Sequence, residues 1–400
     1  MLLISSLVMS EEIKVIEIDG STTPAMGIIH FQIEGTIDIE KPSEVISQDL
    51  ALPGYFKTVI SPEFDSTLFQ ESKAYYYIEA KIISQGPDIR FEGYVMDVAT
   101  RQQILGKSYS VPAKDLRRVL HTFSDEVLKN VLGEQGVSTS RLLAVTKSKG
   151  HKNIKVMDYD GHRSWMLTND KHINTLADWG HDNTQIFFTS FRPGYPSIYR
   201  ADLSNGRRKH ITPGVQSFGP KVHPKGAKLL YTKQQSHGSD VYRLDLLTNK
   251  STQITYGRAT ETSPEWSPNG YEVLYTSDKG GNPKIYKVDF DGLNEKRITW
   301  GRQYIESSAW SPKGDKIAYV GMDKGRLNVY VMNIDATGVQ QLTSDNGNNE
   351  SPTWSPDGKM IAFSSNRKTG TPQIYIMRAD GSGVTQMTHG APHTAPRWSK

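Results

Sequence analysis

The feature that most constrains this chain is a short phrase that returns at a fixed interval. Trp266, Trp310, Trp354 and Trp398 are each 44 residues apart, and the first three open the sequence Trp-Ser-Pro, followed by a polar residue and Gly. Two degenerate copies stand upstream, at 222–226 and 179–183, after spacings of 44 and 43 residues. A repeat of about 40–50 residues that carries several short strands is typical of a β-propeller, in which each repeat forms one blade.

Each repeat carries a pattern of four short strands in an up-and-down meander. In one repeat, the second strand is predicted over 273–277, the third contains Ile285-Tyr286, and the fourth ends in Ile298-Thr299. Asp-Gly and Asn-Gly pairs recur between strands, and they favour the left-handed dihedral angles of two-residue hairpin turns. We interpret the repeated Trp as an aromatic residue that packs between neighbouring blades rather than as a stacking surface for sugars or bases.

Counting the strands predicts six blades and a closed ring. First strands end at 179, 222, 266, 310, 354 and 398, but the set of strands that begins at Leu142 has no first strand of its own. The segment that ends in Trp398 is a first strand without followers. We therefore predict that the last residues pair into the first blade and close a six-bladed propeller, which removes the exposed sheet edges.

The residues ahead of the repeats predict a small α/β domain with a mixed sheet and two helices. Paired strands are expected over 74–83 and 89–97, a helix over 43–50 with Ser43 as its N-cap, and a second helix over 112–132 closed by Gly133. The predicted domains are 11–136 and 137–400. Residues 1–10 are interpreted either as the remnant of a secretory signal peptide or as part of an ordinary first strand.

Composition excludes several classes of function. A net charge of +4 from 47 basic and 43 acidic residues does not indicate nucleic-acid binding. The chain has no cysteine, which excludes disulfides, thiolate metal sites and a cysteine nucleophile. The apolar run at 2–9 is shorter than the ~18–20 residues that span a bilayer, so no membrane insertion is expected. The sequence contains no His-Glu-x-x-His motif, nucleophile elbow or phosphate-binding Gly loop, so we expect no enzyme, metal or cofactor.

The most variable positions of the repeats lie in the loops that lead into each first strand. These loops mix aromatic, polar and charged residues where the scaffold repeats, and variable loops on a rigid frame are common binding sites. Solvated loops without a partner are the alternative. The candidate partner-binding residues at this end of the propeller are His172, Gln216, Ser217, Phe218, Glu261, Thr262, Ile305, Glu306, Asn349, Glu350 and His393.

The chain resembles the TolB family of the Tol–Pal envelope system. Trp-Ser-Pro-Asp-Gly repeats also occur in propellers attached to prolyl-peptidase-type hydrolases, whereas the residues ahead of the propeller carry more specific motifs. These motifs are 94–98, 103–106, 116–118, His121, Asp125, Glu134, Gly136 and 140–142. The resemblance extends from about Glu11 to Lys400 and implies an α/β domain followed by a six-bladed propeller in a periplasmic, non-enzymatic protein.

The resemblance also implies partners and a role. In that family the propeller face binds the peptidoglycan-associated lipoprotein, Pal, and the carried-over positions include Gln216, Ser217 and Thr262. The family's N-terminal segment engages the inner-membrane protein TolA, and the matching candidates here are Glu11, Glu12, Lys14, Ile16, Glu17 and Asp19. The implied role is support of outer-membrane invagination at cell division and of outer-membrane integrity. The expected state is a monomer, and other outer-membrane proteins are further candidate partners. The alternative is a regulatory propeller of a prolyl-peptidase-type hydrolase that acts with a separate catalytic chain.

Overall fold

The computed structural model describes residues 23–39, 41–148, 150–301, 304–344 and 347–400. They form two compact units, one ending at Ser138 and the other running from Thr139 to Lys400. The interpretations of residues 1–10 as a signal-peptide remnant and of Glu11, Glu12, Lys14, Ile16, Glu17 and Asp19 as a TolA-binding segment lie outside the described residues.

The first unit is an α/β domain built on one mixed sheet. Its elements in chain order are β1 (Ala25–Ile29), β2 (Gln32–Glu34), α1 (Pro42–Ala51), β3 (Lys57–Ser61), α2 (Ser66–Glu71), β4 (Ala74–Gln85), β5 (Asp88–Asp97), β6 (Gln103–Pro112) and α3 (Leu116–Leu132). The strand order is β3-β1-β4-β5-β6, and β2 also pairs with β4. Strand β1 runs parallel to β3 and β4, whereas β4, β5 and β6 form an antiparallel meander.

Alternation along β4 builds the core of this unit. Ile78, Ala80 and Ile82 share one face of the sheet and pack in one cluster with Leu120 and Phe123 of α3. The predicted hairpin is confirmed, because β4 and β5 pair from Tyr76–Asp97 to Gln85–Asp88. Helix α3 ends as predicted at Gly133, whose φ of 69° is a left-handed conformation that glycine adopts without strain.

Three local expectations differ from the structure. The N-cap prediction for Ser43 is wrong: α1 begins at Pro42, whose fixed φ suits the first helical turn, and Ser43 is buried inside that turn. Helix α3 begins at Leu116 rather than at 112, because Pro112 ends β6 and residues 113–115 form a 3-10 turn. Strand β3 and the short helix α2 are additional elements that the sequence pattern did not predict.

The second unit is a propeller of six four-stranded antiparallel sheets. Its strands are β7 (Arg141–Ser148), β8 (His151–Asp158), β9 (Ser164–Met166), β10 (Asn174–Trp179), β11 (Gln185–Ser190), β12 (Ser197–Asp202), β13 (Arg208–His210), β14 (Ser217–Val222), β15 (Lys228–Gln235), β16 (Gly238–Asp245), β17 (Ser251–Gln253), β18 (Glu261–Trp266), β19 (Glu272–Ser277), β20 (Lys284–Asp289) and β21 (Lys296–Arg297). They continue as β22 (Ile305–Trp310), β23 (Lys316–Asp323), β24 (Arg326–Asn333), β25 (Gln340–Gln341), β26 (Asn349–Trp354), β27 (Met360–Ser365), β28 (Gln373–Arg378), β29 (Thr385–Gln386) and β30 (His393–Trp398).

The ring closes as predicted. Strand β30 pairs antiparallel with β7, with Trp398 opposite Leu142 and His393 opposite Thr146, so the first blade has the order β30-β7-β8-β9. The Ser399 N–H donates to the Arg141 carbonyl at 2.8 Å. The other blades follow in chain order, from blade two (β10–β13) to blade six (β26–β29), and β10, β14, β18, β22, β26 and β30 are the inner strands.

The repeated tryptophans are structural, as interpreted. Trp179, Trp266 and Trp354 are buried, and each indole N–H donates to a backbone carbonyl of the preceding inner strand at 2.9 to 3.1 Å. Each of these side chains therefore ties two neighbouring blades together near the ends of their inner strands. Over the described part of the chain, no helix is long and apolar enough to cross a bilayer.

Candidate functional site

The six inner strands all begin at one end of the propeller, which we call the upper rim. Their first residues are Asn174, Ser217, Glu261, Ile305, Asn349 and His393. The loops that lead into these residues also lie at this end. The opposite end is the lower rim, where the inner strands finish and where five of them turn into the second strand of their blade.

A bulge recurs at one position of every inner strand. The pairing register shifts after the second residue, and the third residue has a positive φ of 48° to 63°. Such dihedral angles are uncommon outside glycine, and a bulge bends the strand that carries it. The six residues are Leu176, Gly219, Ser263, Ser307, Ser351 and Ala395.

These bulges surround a cavity of about 160 Å³ that is lined by residues from all six inner strands. Sequence reasoning missed the bulges. A signal exists in retrospect, because small residues recur 44 residues apart from Gly219 to Ala395. The cavity therefore follows from the repeat, because every inner strand is bent at the same level around it.

Lys221, Glu265 and Arg397 also line this cavity, and together with Asp178 they form a charge cluster. Four inner strands carry a charged residue just before their final residue: Asp178, Lys221, Glu265 and Arg397. The Arg397 Nε lies 2.6 Å from Asp178 Oδ1, and its Nη2 contacts Glu265 on the other side of the cavity. The Lys221 Nζ lies 2.8 Å from Glu265 Oε2. The two positive and two negative side chains therefore balance, and they join the closing strand to blades two, three and four.

The charges in this cluster hold each other ionised. Burial alone would raise the pKa of Asp178 and of Glu265, but the positive charges of Arg397 and Lys221 outweigh burial and hold both pKa values below their ordinary range. The same two carboxylates raise the pKa of Arg397 against the effect of its burial. We interpret the cluster as a structural tie across the ring.

The structure separates the candidate binding residues by depth. The first residues of the inner strands are buried: Ser217, Glu261, Ile305, Asn349 and His393. Four successive inner strands have a partly exposed second residue: Phe218, Thr262, Glu306 and Glu350. His172 is also partly exposed, and Gln216 is exposed. Phe218 and Thr262 line the cavity.

The exposed aromatic residues of the upper rim were missed by sequence reasoning. Tyr256 is 72% exposed and Trp300 is 69% exposed, and they occupy equivalent positions in the loops that lead to blades four and five. The guanidinium of Arg297 lies 4.8 Å from the Trp300 ring centre. Near these loops, burial and then the Glu306 carboxylate raise the pKa of Glu350, and Tyr304 donates a hydrogen bond to Glu306.

A buried polar junction forms where each blade meets the next. A threonine of the fourth strand or just after it accepts a hydrogen bond from a third-strand N–H at 2.8 to 2.9 Å in every blade; these residues are Thr168, Thr212, Thr255, Thr299, Thr343 and Thr388. Beside it lie one third-strand side chain and the first side chain of the next inner strand. The residues at these two repeat positions are Asn153 and Asn174, Ser197 and Ser217, Asp240 and Glu261, Lys284 and Ile305, Asn328 and Asn349, and Gln373 and His393.

His393 makes the closing junction sensitive to acid. Its side chain is 4% exposed, and burial, followed by the charge of Lys155, lowers its pKa to about 4. The unfolded chain takes up a proton near pH 6.5, well before the folded chain does, so the stability contributed by neutral His393 is lost as pH falls from about 6.5 to 4. We predict a loss of about 3 kcal/mol over this range.

The check is thermal unfolding of the parent and of His393→Asn, which places at this junction the residue found at Asn174 and Asn349. The variant should lose less stability than the parent between pH 6.5 and 4, whereas His389→Asn, at an exposed histidine, should behave like the parent. Equal acid sensitivity of His393→Asn and the parent would contradict the assignment.

One serine–histidine contact bears on the hydrolase alternative. The Ser197 Oγ lies 2.7 Å from His210 Nε2, but Ser197 is fully buried and its hydroxyl also lies 2.8 Å from the Thr212 carbonyl oxygen. A substrate carbonyl has no path to this hydroxyl, so the contact belongs to the polar junction of blade two. Among the residues that the structure describes, no group of three or more His, Asp or Glu side chains is placed to hold a metal ion.

Comparison with known proteins gives consistent results. Residues 128–327 and 305–400 match the family model described as the TolB beta propeller domain. The chain is 31% identical over 229 residues to the Tol-Pal system protein TolB of Gluconobacter oxydans. The aligned region covers 54% of this chain and 50% of that protein. It is 31% identical over 261 residues to a protein TolB homolog of Chlorobium chlorochromatii, which covers 61% of this chain and 59% of the relative. The chain thus spans about half the length of the curated relatives it matches.

The fold of both units recurs in a solved structure. The crystal structure of TolB from Acinetobacter baumannii superposes with a TM-score of 0.82 at 24% identity, and the match covers 94% of this chain and 96% of that one. This similarity shows a shared fold, and the family model matches more than half of the chain. The chain therefore belongs to the TolB family.

Proposed function

We propose that this chain is a non-enzymatic periplasmic component of the Tol–Pal system. Its upper rim binds a peptidoglycan-associated lipoprotein, Pal, and its N-terminal segment binds TolA, which together support outer-membrane invagination at division and outer-membrane integrity. Support comes from membership of the TolB family and from relatives that carry the name Tol-Pal system protein TolB. The single observation that carries the proposal is the upper rim itself: one closed ring bears variable, partly exposed side chains around a shared cavity.

The upper rim is suited to a protein partner. Phe218, Thr262, Glu306 and Glu350 present an aromatic ring, a hydroxyl and two carboxylates on four successive inner strands. The bulges and the closed ring hold the backbone beneath them, so little conformational entropy is lost on binding. A partner that places apolar and basic groups over this surface would satisfy both kinds of side chain.

Tyr256 and Trp300 provide the large anchors that such an interface needs. Aromatic residues near the centre of an interface carry a disproportionate share of the binding energy. The lower rim offers a matched comparison in Tyr271, an aromatic residue of similar exposure at 60%. The side of the propeller that binds can therefore be determined with single substitutions of the same type.

The test is isothermal titration calorimetry with the purified soluble domain of a Pal lipoprotein. Trp300→Ala and Thr262→Arg should each weaken binding at least about tenfold, because one removes an anchor and the other introduces a bulky charge at the cavity mouth. Tyr271→Ala should bind like the parent. The proposal is overturned if the parent does not bind, or if the lower-rim substitution weakens binding as much as the upper-rim substitutions do.

A further inference from the structure

Two buried carboxyl groups meet at the junction of blades three and four. Asp240 of β16 is 2% exposed, and Glu261, the first residue of β18, is 1% exposed. The Asp240 Oδ1 and the Glu261 Oε2 have no hydrogen-bond partner within the described residues. Glu261 receives a long contact of 3.4 Å from the Ser277 hydroxyl at its other oxygen, and a side-chain hydrogen bond from Thr255. Unpaired carboxylate oxygens are costly in a protein interior, so this pair requires an explanation.

Two of the equivalent junctions hold a neutral, hydrogen-bonded pair at this position. Asn153 pairs with Asn174 at 3.2 Å and Asn328 pairs with Asn349 at 3.3 Å, each by an amide N–H donated to an amide oxygen. These pairs are neutral and make a hydrogen bond with no proton to gain or lose. Two carboxyl groups in the same geometry can form the corresponding hydrogen bond only if one of them is protonated.

The charged groups around the pair do not supply a free cation. Lys279, which follows β19, is the positive group that faces Glu261, and its ammonium is already paired with Glu295, which also accepts from Tyr275. His237, at the tip of the β15–β16 hairpin, faces Asp240 but is exposed to solvent. Glu295 itself adds a negative charge on the Glu261 side. The surroundings therefore favour retention of a proton.

The pKa values of the pair agree with this geometry. Burial raises the pKa of Glu261 to about 7, with the Asp240 charge acting in the same direction and a hydrogen bond from Thr255 opposing both. Burial also raises the pKa of Asp240, although the charge of His237 lowers it in part.

We propose that Asp240 and Glu261 share one proton at neutral pH, and that loss of this proton loosens the upper rim between blades three and four and weakens partner binding. The second half of this inference rests on the proposed function, whereas the shared proton does not. The pair is thus a pH-sensitive device within the rim rather than a surface that touches the partner.

The pair is mechanically connected to the rim. The Ser239 hydroxyl donates to the Glu261 carbonyl at 2.9 Å, and the Ser239 N–H donates to the Ala259 carbonyl at 3.4 Å. Ala259 belongs to the loop of residues 254–260 that connects β17 to β18. Gly238 lies so close to this loop that a Cβ added to Gly238 would stand 2.3 Å from the Ala259 oxygen. Repulsion between two buried carboxylates would push the β15–β16 hairpin away from this loop, which carries Tyr256 and leads directly into Thr262.

The experiment measures stability and binding on the same chains at pH 6 and pH 8.5. The double substitution Asp240→Asn with Glu261→Asn reproduces the Asn–Asn pair of two other junctions, and Glu261→Gln is a second, smaller change. The melting temperature of the parent, relative to either variant, should fall as pH rises through about 7, because a group with a raised folded-state pKa loses its stabilising contribution in that direction. Infrared spectroscopy should show one protonated carboxyl at pH 6 that is lost by pH 8.5 and is absent from Glu261→Gln.

Binding of the soluble Pal domain should weaken about tenfold from pH 6 to pH 8.5 in the parent and remain nearly constant in the variants. A parent whose stability and infrared spectrum do not differ from those of Glu261→Gln across this range would overturn the shared proton. Calcium that stabilises the parent but not the variants at pH 8.5 would show a cation site instead. If Pal does not bind at either pH but the stability difference is present, the proposed function fails and the proton site stands.

Discussion

Deletion of residues 396–400 is expected to reduce the free energy of unfolding of the propeller by at least about 5 kcal/mol. The deletion removes the buried Trp398 and leaves the end of β7 at Leu142 and Leu143 without a partner strand. It also removes Arg397 and leaves Asp178 and Glu265 buried without their main counter-charge. Because natural domains are stable by only about 5–15 kcal/mol, a loss of this size is enough to unfold most of the molecules.

Differential scanning calorimetry of the shortened chain measures this effect. The control is Lys368→Ala, at an exposed lysine between β27 and β28, which leaves β30 and its pairing with β7 in place. The control should unfold close to the parent, whereas the shortened chain should lose its propeller transition or unfold at a much lower temperature. An unchanged melting temperature would show that the ring is not held closed by this strand.

Arg397→Met is expected to destabilise the propeller by about 3–5 kcal/mol, the usual effect of removing one partner of a buried ion pair. The methionine fills a similar volume, so most of the loss comes from the two carboxylates, Asp178 and Glu265, that remain without Arg397. The measurement is chemical unfolding with urea at pH 7 on the parent and the variant.

A compensating variant separates charge from packing. Asp178→Asn, added to Arg397→Met, removes the carboxylate that has lost its paired cation and keeps the Lys221–Glu265 ion pair at 2.8 Å. This double variant should recover most of the lost stability, because the remaining charges of the cluster balance again. If Arg397→Met differs from the parent by less than about 1 kcal/mol, or if the double variant is no more stable than the single one, the cluster is not the tie described here.

The repeat predicts the architecture because it marks where each inner strand ends, which is a local property of the sequence. Each Trp position fixes the end of an inner strand, and the unmatched Leu142 and Trp398 segments predict the closure that β30 and β7 make. The bulges were not predictable in the same way, because a register shift depends on the partner strand rather than on the alternation of the bulged strand itself. The small residues at these positions indicate the bulges only after the pairing is known.

The charge cluster was missed for a different reason. Charged residues are seldom buried, so Asp178, Glu265 and Arg397 resemble surface residues when each is considered alone. Their partners are distant in sequence, since Asp178 and Arg397 are 219 positions apart. The sequence does contain the arrangement, as charges of both signs at one slot of the repeat, but only the closed ring brings them together.

The candidate site was predicted at the level of the rim but not of the side chain. Successive residues of a strand point in opposite directions, and Glu261 is buried at a blade junction while Thr262 lines the cavity. Which of two neighbouring side chains faces the cavity depends on the residue at which the strand begins, and the sequence does not give that residue. Tyr256 and Trp300 were missed because they occupy variable loops, and the equivalent positions in two other blades hold Pro213 and Ser344.

Hydrogen–deuterium exchange of the complex with the soluble Pal domain tests the central claim most directly, since it measures which end of the closed ring is covered. The account predicts slower exchange in the loops that lead into Glu261 and Ile305 and in the first residues of β14, β18, β22 and β26, with no change in the turns of the lower rim. Protection confined to the lower-rim turns, or no protection at saturating Pal domain, would contradict it.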